Sequence, residues 1–426
     1  MKYLGKFIYL LVFISSAIYI INHNKTYELA QIIDGYAIDF SVKKGGKLYF
    51  YANALNENKR AKVYIYNIKN EKVDSVILHV KPQYKNLLKV AYKNGYQYSN
   101  LLSYDTKGLT SGLYFINNII PFLIKNINLE KGITVVVPFS NLMALNAIGG
   151  KSFDPENSTG NSAATHLSLL RPLSFSRSES EFLNYIDSVY GKLKVNYISD
   201  LDLLNYDNLA KSKLLIIYGY SAFWTLEQRK NFDRFQKDGG NVLAISNYIM
   251  NNKYLYYPKL KQISFTRAND SIANVEERTG IWDNPIYNYA TVNSIGCNYT
   301  INNDLSKLSA TNKGLILLNK KLLLFDKIDT SSNLLKYSNF NTLKIHVIEG
   351  KPFADRNSGT FYSKEIIAYF NPDKQHQNLG GIFMLQKYKN SGKLIVISSS
   401  DWVNNETFSN MNITIATKNI IDFLLL

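Results

Sequence analysis

Apolar and polar residues alternate in short runs over the first part of the chain. The alternation is clearest at residues 47–52 and 61–66, and further apolar runs lie at 73–80 and 113–116. A side-chain period of two predicts strands that place one face on a core. We therefore expect residues 28–118 to form an all-β sandwich of immunoglobulin-like pattern, with a structural role.

From residue 132 onward, the pattern changes to strands that alternate with helices. Residues 133–137 are an unbroken, largely β-branched run, which is typical of a strand buried on both faces of a parallel sheet. A later helix carries Phe182, Ile186 and Val189 at the spacing of a core-facing stripe. Repetition of this unit predicts a doubly wound α/β domain.

Two later strands, at residues 213–218 and 241–245, enclose a helix that begins with the capping box Thr225 and Gln228. In a doubly wound sheet, ligands bind at the carboxyl ends of the strands. The loops after the strands at 133–137, 213–218 and 241–245 are therefore expected to form the functional site.

The α/β domain is expected to span residues 119–426, with an irregular insertion at about 251–390. The insertion is rich in tyrosine, but the whole chain contains 32 tyrosines, so this richness is not specific. Its two histidines, His346 and His376, show no spacing that would indicate a metal site.

Residues 1–24 have the order of a membrane-targeting segment. Lys2 and Lys6 precede the apolar run 7–21, and polar residues follow. This run is shorter than the roughly 20 residues of a membrane span, which favours a signal peptide. Bulky residues after Ala17 leave an uncleaved anchor open. We expect the body to be exported to the periplasm, the cell surface or the medium, either released or tethered to the membrane.

The chain carries 49 Lys and Arg against 33 Asp and Glu, a formal net charge of +16. The basic residues are mostly Lys, spread evenly among Asn, Tyr and Ile, and no signature of a nucleic-acid-binding module occurs. We therefore expect no nucleic-acid partner, while an unknown small molecule or an anionic cell-surface polymer remains open. Cys297 is the only cysteine, which rules out an intramolecular disulfide.

Short motifs at the predicted loops carry a family resemblance. Residues 138–153 read PFSNLMALNAIGGKSF, and residues 219–225 read GYSAFWT. They resemble the patterns P-x-x-T-x-Q-A-Y-N-x-W-G-G-x-S-x-Y and G-H-D-E-Y-W-S of the N,N-dimethylformamidase large (beta) subunit-like family. Shorter matches to that family occur in the same order at residues 111–114, 171–172, 198–203, 238–247 and 399–402. The resemblance implies a glutamine-amidotransferase-like, flavodoxin-like α/β fold.

The resemblance also implies a mononuclear iron held by two tyrosines and a glutamate. The family glutamate falls on Ala222, its neighbouring histidine on Tyr220, and one tyrosine on Leu145. Neither a methyl nor an isobutyl group can donate to iron. The family's iron ligands are therefore expected to be replaced, and no cofactor is expected. Tyr104 and Tyr114 are candidates for the position of the second tyrosine.

The other residues of these motifs suggest a preserved cleft. Candidate ligand-binding residues are Asn146, Gly149, Gly150, Arg171, Asp200, Trp224 and Asn247. The glycines also fit tight backbone turns, and the asparagines also fit loop caps. Tyr220 and Ser221 follow a strand where α/β enzymes place a nucleophile, and His166 would serve as the base, although no G-x-S-x-G motif surrounds Ser221.

Three functions remain open from the sequence. The first is an exported, non-iron relative of the amidase family that binds a ligand or a surface polymer. The alternative is a hydrolase that acts on C–N or related bonds with rearranged catalytic residues. The third is a structural role in the cell envelope.

Overall fold

The computed structural model of the chain describes residues 31–54, 60–83, 90–191, 194–246, 248–266, 274–296, 299–301, 315–317, 324, 343–345, 361–370 and 379–426. These residues form a mixed α/β protein with many sheets and few helices, as the sequence predicts at this coarse level. The leader at 1–24, the predicted site residue Asn247, and Cys297, His346 and His376 lie outside the described residues.

Two sheets form the N-terminal part of the structure. The first is antiparallel and contains, in spatial order, β1 (Ile32–Ala37), β3 (Lys47–Ala54) and β6 (Leu101–Asp105). The second contains, in spatial order, β2 (Ser41–Lys43), β8 (Ile120–Lys125), β7 (Gly112–Ile116), β4 (Ala61–Asn67) and β5 (Lys72–Leu78). A short helix, α1 (Ala91–Asn94), precedes β6.

Side chains from both sheets pack into one core, which includes Phe50, Val63 and Phe122. Along β3 the buried residues Leu48 and Phe50 alternate with more exposed neighbours, as a strand with one face on a core requires. The strands predicted at 47–52, 61–66, 73–80 and 113–116 are therefore present, with small shifts at their ends.

The sequence analysis missed strand β8. Its residues are buried almost throughout, because successive side chains enter two different cores. Phe122 packs in the sandwich core, whereas Leu123 packs in the core of the α/β part. A strand buried on both faces shows no alternation, and Pro121 further obscures it. The N-terminal sheets thus extend to Lys125, beyond the last strand that the pattern indicated.

The α/β part is built on an eight-stranded sheet. Five parallel strands lie in the spatial order β11 (Val195–Ser199), β9 (Ile133–Val137), β12 (Leu214–Tyr218), β14 (Asn241–Ile245) and β24 (Lys393–Ile397). Three antiparallel strands extend the sheet beyond β24: β23 (Leu379–Gln386), β22 (Ser363–Phe370) and β20 (Leu315–Leu317).

Helices cover both faces of this sheet. They are α2 (Phe139–Leu145), α3 (Ser180–Tyr190), α4 (Leu226–Lys237), α5 (Val292–Ile295), α6 (Asn405–Phe408) and α7 (Met411–Leu425). Val135 and Val137 pack in one core with α3 and α7, whereas Val136 packs in a second core with α4. Phe182 and Ile186 of α3 are buried as predicted, but Val189 is 38% exposed.

The region 251–390, predicted as an irregular insertion, supplies β20, β22 and β23 of the main sheet. Short strands also occur in or next to this region. They are β15 (Ile249–Lys253), β16 (Leu255–Tyr257), β17 (Gln262–Ser264), β18 (Gly280–Ile281), β19 (Tyr299–Ile301) and β21 (Leu343–Ile345). Two earlier strands join them, because β10 (His166–Ser168) pairs with β17 and β13 (Ser221–Trp224) pairs with β15. Segments of two to five residues are too short for a periodic pattern to reveal them.

Polar contacts hold the sandwich against the main sheet. Asp202, in the turn after β11, forms an ion pair with Lys125 of β8 and accepts a 2.6 Å hydrogen bond from Ser41 Oγ. Over the described part of the chain, no helix combines the length and apolar character that crossing a bilayer requires.

Candidate functional site

Three loops at the carboxyl ends of parallel strands line one cleft of about 930 Å³. Leu145, Phe153 and Asp154 come from the chain after β9, Tyr220 follows β12, and Tyr248 follows β14. These are the three loops that the sequence analysis selected. Ligand sites commonly lie at this edge of an α/β sheet, and the volume suits a small organic molecule.

Aromatic side chains dominate one side of the cleft. The ring centroids of Tyr220 and Tyr248 lie 5.9 Å apart at an interplanar angle of 51°, and those of Tyr220 and Phe223 lie 6.3 Å apart. Behind them, Phe223 packs at 5.1 Å against Phe265 and at 5.6 Å against Phe153. All three phenylalanines also line the cleft, but they are buried while the two tyrosines are half-buried, so the tyrosine rings are the more accessible part of this wall.

Polar groups line the rest of the cleft. They comprise two carboxylates and three amides, on Asp154, Asp283, Asn251, Asn252 and Asn284. Asp283 Oδ1 accepts a 2.8 Å hydrogen bond from the Thr291 backbone N–H, and burial raises the pKa of its carboxyl group. Burial also raises the pKa of the Tyr220 and Tyr248 hydroxyls, so both phenols are protonated near neutral pH.

The candidate catalytic residues have separate partners. Tyr220 lines the cleft. Ser221 is buried, and both its carbonyl oxygen and Oγ accept from Trp224 Nε1, at 2.7 and 3.3 Å. His166 Nδ1 lies 3.0 Å from Thr165 Oγ1, and burial, together with the charge of Lys93, lowers the pKa of its imidazole. Among the described residues, no hydrogen bond joins Ser221 to His166, so the expected nucleophile and base are not paired.

Asp200 organises the loop after β9. Its fully buried carboxylate accepts from the backbone N–H groups of Ser140, Asn141 and Leu201, at 3.0, 3.1 and 3.0 Å. It also accepts from Ser140 Oγ at 2.7 Å and Asn141 Nδ2 at 2.9 Å. Burial raises the pKa of Asp200 although these donors oppose the shift. Its oxygens therefore serve the first turn of α2, and a ligand is not needed to explain them.

Arg171 organises the other end of the same loop. Its buried guanidinium donates to the carbonyl oxygens of Met143, Asn146, Ile148, Lys151 and Ser168. Burial lowers the pKa of Arg171 to about 9. Asn146 Nδ2 donates to the Pro172 carbonyl at 2.8 Å, which ties the end of α2 to the chain after Arg171. Both residues thus hold the backbone that carries Leu145 into the cleft.

Gly149 and Gly150 form the turn that follows α2. Their φ angles are +95° and +113°, in the region that favours glycine. A Cβ on Gly149 would lie 2.9 Å from the Tyr92 backbone nitrogen, whereas one on Gly150 would meet nothing within 4 Å. The expectation that these glycines permit a tight turn is consistent with this geometry.

Trp224 belongs to a core, not to the cleft wall. It is 1% exposed and packs at 5.7 Å against Phe232 of α4.

Several cleft residues carry no sequence signal that would have identified them. Tyr248 could be inferred from its place after β14, but Asp283 and Ile281 reach the cleft from a distant segment.

Two of the positions that the family resemblance assigns to iron ligands, Leu145 and Ala222, lie in or beside this cleft. Leu145 lines it with an isobutyl group, and Ala222 is fully buried between Ser221 and Phe223. Tyr104 and Tyr114 both pack in the sandwich core. Their hydroxyls donate to Asp74 Oδ2 at 2.6 Å and to the Thr110 carbonyl at 3.1 Å. Neither tyrosine is among the residues that line the cleft.

Comparisons with known proteins give a family match and several distant structural likenesses, two of which follow. Residues 99–309 match the family described as N,N-dimethylformamidase beta subunit-like, C-terminal. A ThuA-like protein from Bacteroides uniformis covers 70% of this chain and 92% of its own, at 7% identity and a TM-score of 0.32. A cycloisomaltooligosaccharide glucanotransferase from Paenibacillus covers 51% of this chain and 46% of its own, at 9% identity and a TM-score of 0.18. No curated protein matches the chain.

Proposed function

Because residues 99–309 match the N,N-dimethylformamidase beta subunit-like C-terminal family, we propose that the chain binds a small molecule in the cleft described above without using iron. The observation that carries this proposal is the cleft itself. It lies at the carboxyl ends of β9, β12 and β14 and presents two accessible tyrosine rings beside carboxylate and amide groups. Concave sites with aromatic walls and a few polar groups are typical of small-ligand binding.

Loss of the family's iron chemistry is supported by the donor atoms at the corresponding positions. Iron takes oxygen or nitrogen ligands, and the side chains of Leu145 and Ala222 contain neither. The residues present therefore do not fit the family's iron site. No step of the proposed function passes through a metal.

Within the mixed α/β architecture, we propose two domains of more specific fold. Numbered by their order in the chain, the five parallel strands lie in the spatial order 2-1-3-4-5, which supports a flavodoxin-like, glutamine-amidotransferase-like domain. The two N-terminal sheets with a common core support an immunoglobulin-like sandwich. We place the boundary between the two domains after Lys125, where β8 ends.

We propose that the protein is exported, because a short basic start precedes an apolar run in residues 1–24.

Hydrolysis at Ser221 has less support, because its Oγ is buried and accepts from Trp224 Nε1. A nucleophile needs a hydroxyl that a base and a substrate can reach.

A fragment screen against the purified protein tests the proposal. Molecules that bind the wild type are expected to lose about tenfold in affinity in the variant Tyr248→Leu, because a stacking surface is removed. The matched control is Tyr388→Leu, which removes a half-exposed tyrosine outside the cleft. Equal losses in both variants, or no binding by any fragment, would contradict ligand binding in the cleft.

Elemental analysis of the same preparation tests the loss of iron. We expect no stoichiometric iron after expression in iron-replete medium. One iron per chain would overturn this part of the proposal. Amide hydrolysis that disappears in Ser221→Ala, with folding retained, would favour the hydrolase.

A further inference from the structure

The cleft is lined by acidic groups, although the chain as a whole is basic. The sequence has a formal net charge of +16, yet no Lys, Arg or His occurs among the described residues that line the cleft. Asp154 and Asp283 are the charged groups there. Within the described lining, an anionic ligand would therefore meet two carboxylates and no cation, which disfavours the anionic polymer that the overall charge suggests.

Two cations near the cleft, Lys253 and Arg229, do not change the acidic character of its lining. Lys253 follows Asn252, but its ammonium donates to the carbonyls of Val275 and Glu276 at 2.8 Å. The Arg229 guanidinium stacks 4.5 Å from the Trp282 ring and is not part of the cleft lining. It opposes the rise in the pKa of Asp283, but the effect of burial is larger. The Arg229 guanidinium also donates to the carbonyl oxygens of Tyr289 and Ala290 and to Ser294 Oγ, so it is shared among several acceptors.

The two partly exposed tyrosine rings form one aromatic surface in the cleft. Tyr220 and Tyr248 pack against each other at 51° with centroids 5.9 Å apart, and both residues line the cleft. The face of an aromatic ring carries negative potential and attracts cations within about 6 Å of its centroid. Asp154 lines the same cleft as Tyr220 and acts electrostatically on it, which places a carboxylate near these rings.

We propose that the ligand of this cleft carries an alkylated ammonium group, which binds against the rings of Tyr220 and Tyr248 with Asp154 and Asp283 as its counter-charges. This inference rests on the proposed function, because it names the chemical class that the cleft selects. The aromatic rings favour an alkylated ammonium over a bare one, since methyl groups add apolar contact and lower the cost of desolvation.

A matched pair of probes separates charge from shape. Choline and 3,3-dimethylbutan-1-ol have nearly the same shape, but only choline is charged. By calorimetric or NMR titration, choline is expected to bind the wild type about tenfold more tightly than the neutral alcohol. Equal affinity for the two probes would overturn the inference about charge while leaving ligand binding in the cleft intact.

Two variants of the same size locate the effect. Asp283→Asn removes a carboxylate in the cleft and is expected to reduce the preference for choline at least about threefold. Asp207→Asn removes an exposed carboxylate outside the cleft lining and is expected to leave the preference unchanged. A preference that both variants retain would contradict the role of Asp283. If neither probe binds although screened fragments do, the ammonium inference fails alone; if no molecule binds, the proposed function fails as well.

Discussion

The variant Asp200→Asn tests whether Asp200 is a framework residue for the loop after β9. Its carboxylate accepts five hydrogen bonds, three on Oδ2 and two on Oδ1, and the side chain is buried. Asparagine has the same shape but replaces one acceptor oxygen with an amino group that donates. Whichever oxygen is replaced, at least two donors of Ser140, Asn141 or Leu201 face another donor.

The cost follows from the number of donors that lose their acceptor. A buried donor without a partner costs about 1–3 kcal/mol, so two such donors cost about 2–6 kcal/mol. Part of this is offset, because burial raises the pKa of Asp200 and a neutral amide avoids burying a charge. We therefore expect Asp200→Asn to lower the free energy of unfolding by about 3 kcal/mol.

Tryptophan fluorescence in a urea titration measures this loss in the relevant domain. The chain has three tryptophans, Trp224, Trp282 and Trp402, and all are buried in the α/β part. The control Asp207→Asn removes the same charge from an exposed position and should change stability by less than about 0.5 kcal/mol. A loss in Asp200→Asn as small as in the control would refute the framework role and restore Asp200 as a candidate ligand contact.

Three further outcomes are expected. In urea unfolding, Gly150→Ala should lower the free energy of unfolding by about 1–2 kcal/mol because of its positive φ alone. Gly149→Ala should lower it by about 1–3 kcal/mol more, because the new Cβ would also contact the Tyr92 backbone. Equal losses in the two variants would contradict this close approach. Arg229→Lys should speed amide hydrogen exchange across residues 289–294, because Arg229 donates to two carbonyl oxygens and a hydroxyl there. The control Arg234→Lys, at an exposed site, should leave this exchange unchanged. Burial lowers the pKa of Lys253 to about 8 from 10.5, so the unfolded chain binds its proton more tightly. Across pH 8 to 10.5, the stability of the wild type relative to Lys253→Met should therefore rise with pH, and a flat or falling difference would contradict this assignment.

Whether the role of a predicted site residue can be inferred from sequence depends on how near its contacts lie along the chain. Gly149 and Gly150 can be interpreted from sequence, because a turn that follows a helix constrains only its own backbone. The roles of Asp200 and Arg171 cannot, because most of their hydrogen-bond partners lie at sequence separations of about 20 to 60 residues. A motif match marks both as important without distinguishing a ligand contact from a framework contact. Hydrogen-bond partners make that distinction.

By itself, the sequence determined the alternation of the parallel strands with helices in the α/β part and the three loops at the site. These features depend on local periodicity and on the rule that parallel strands end at one edge. Tertiary structure alone decided that β8 lies between two cores, since its continuous apolar run has no period to detect. It also decided that Asp283 joins Tyr220 and Tyr248, because contacts between distant segments leave no local pattern.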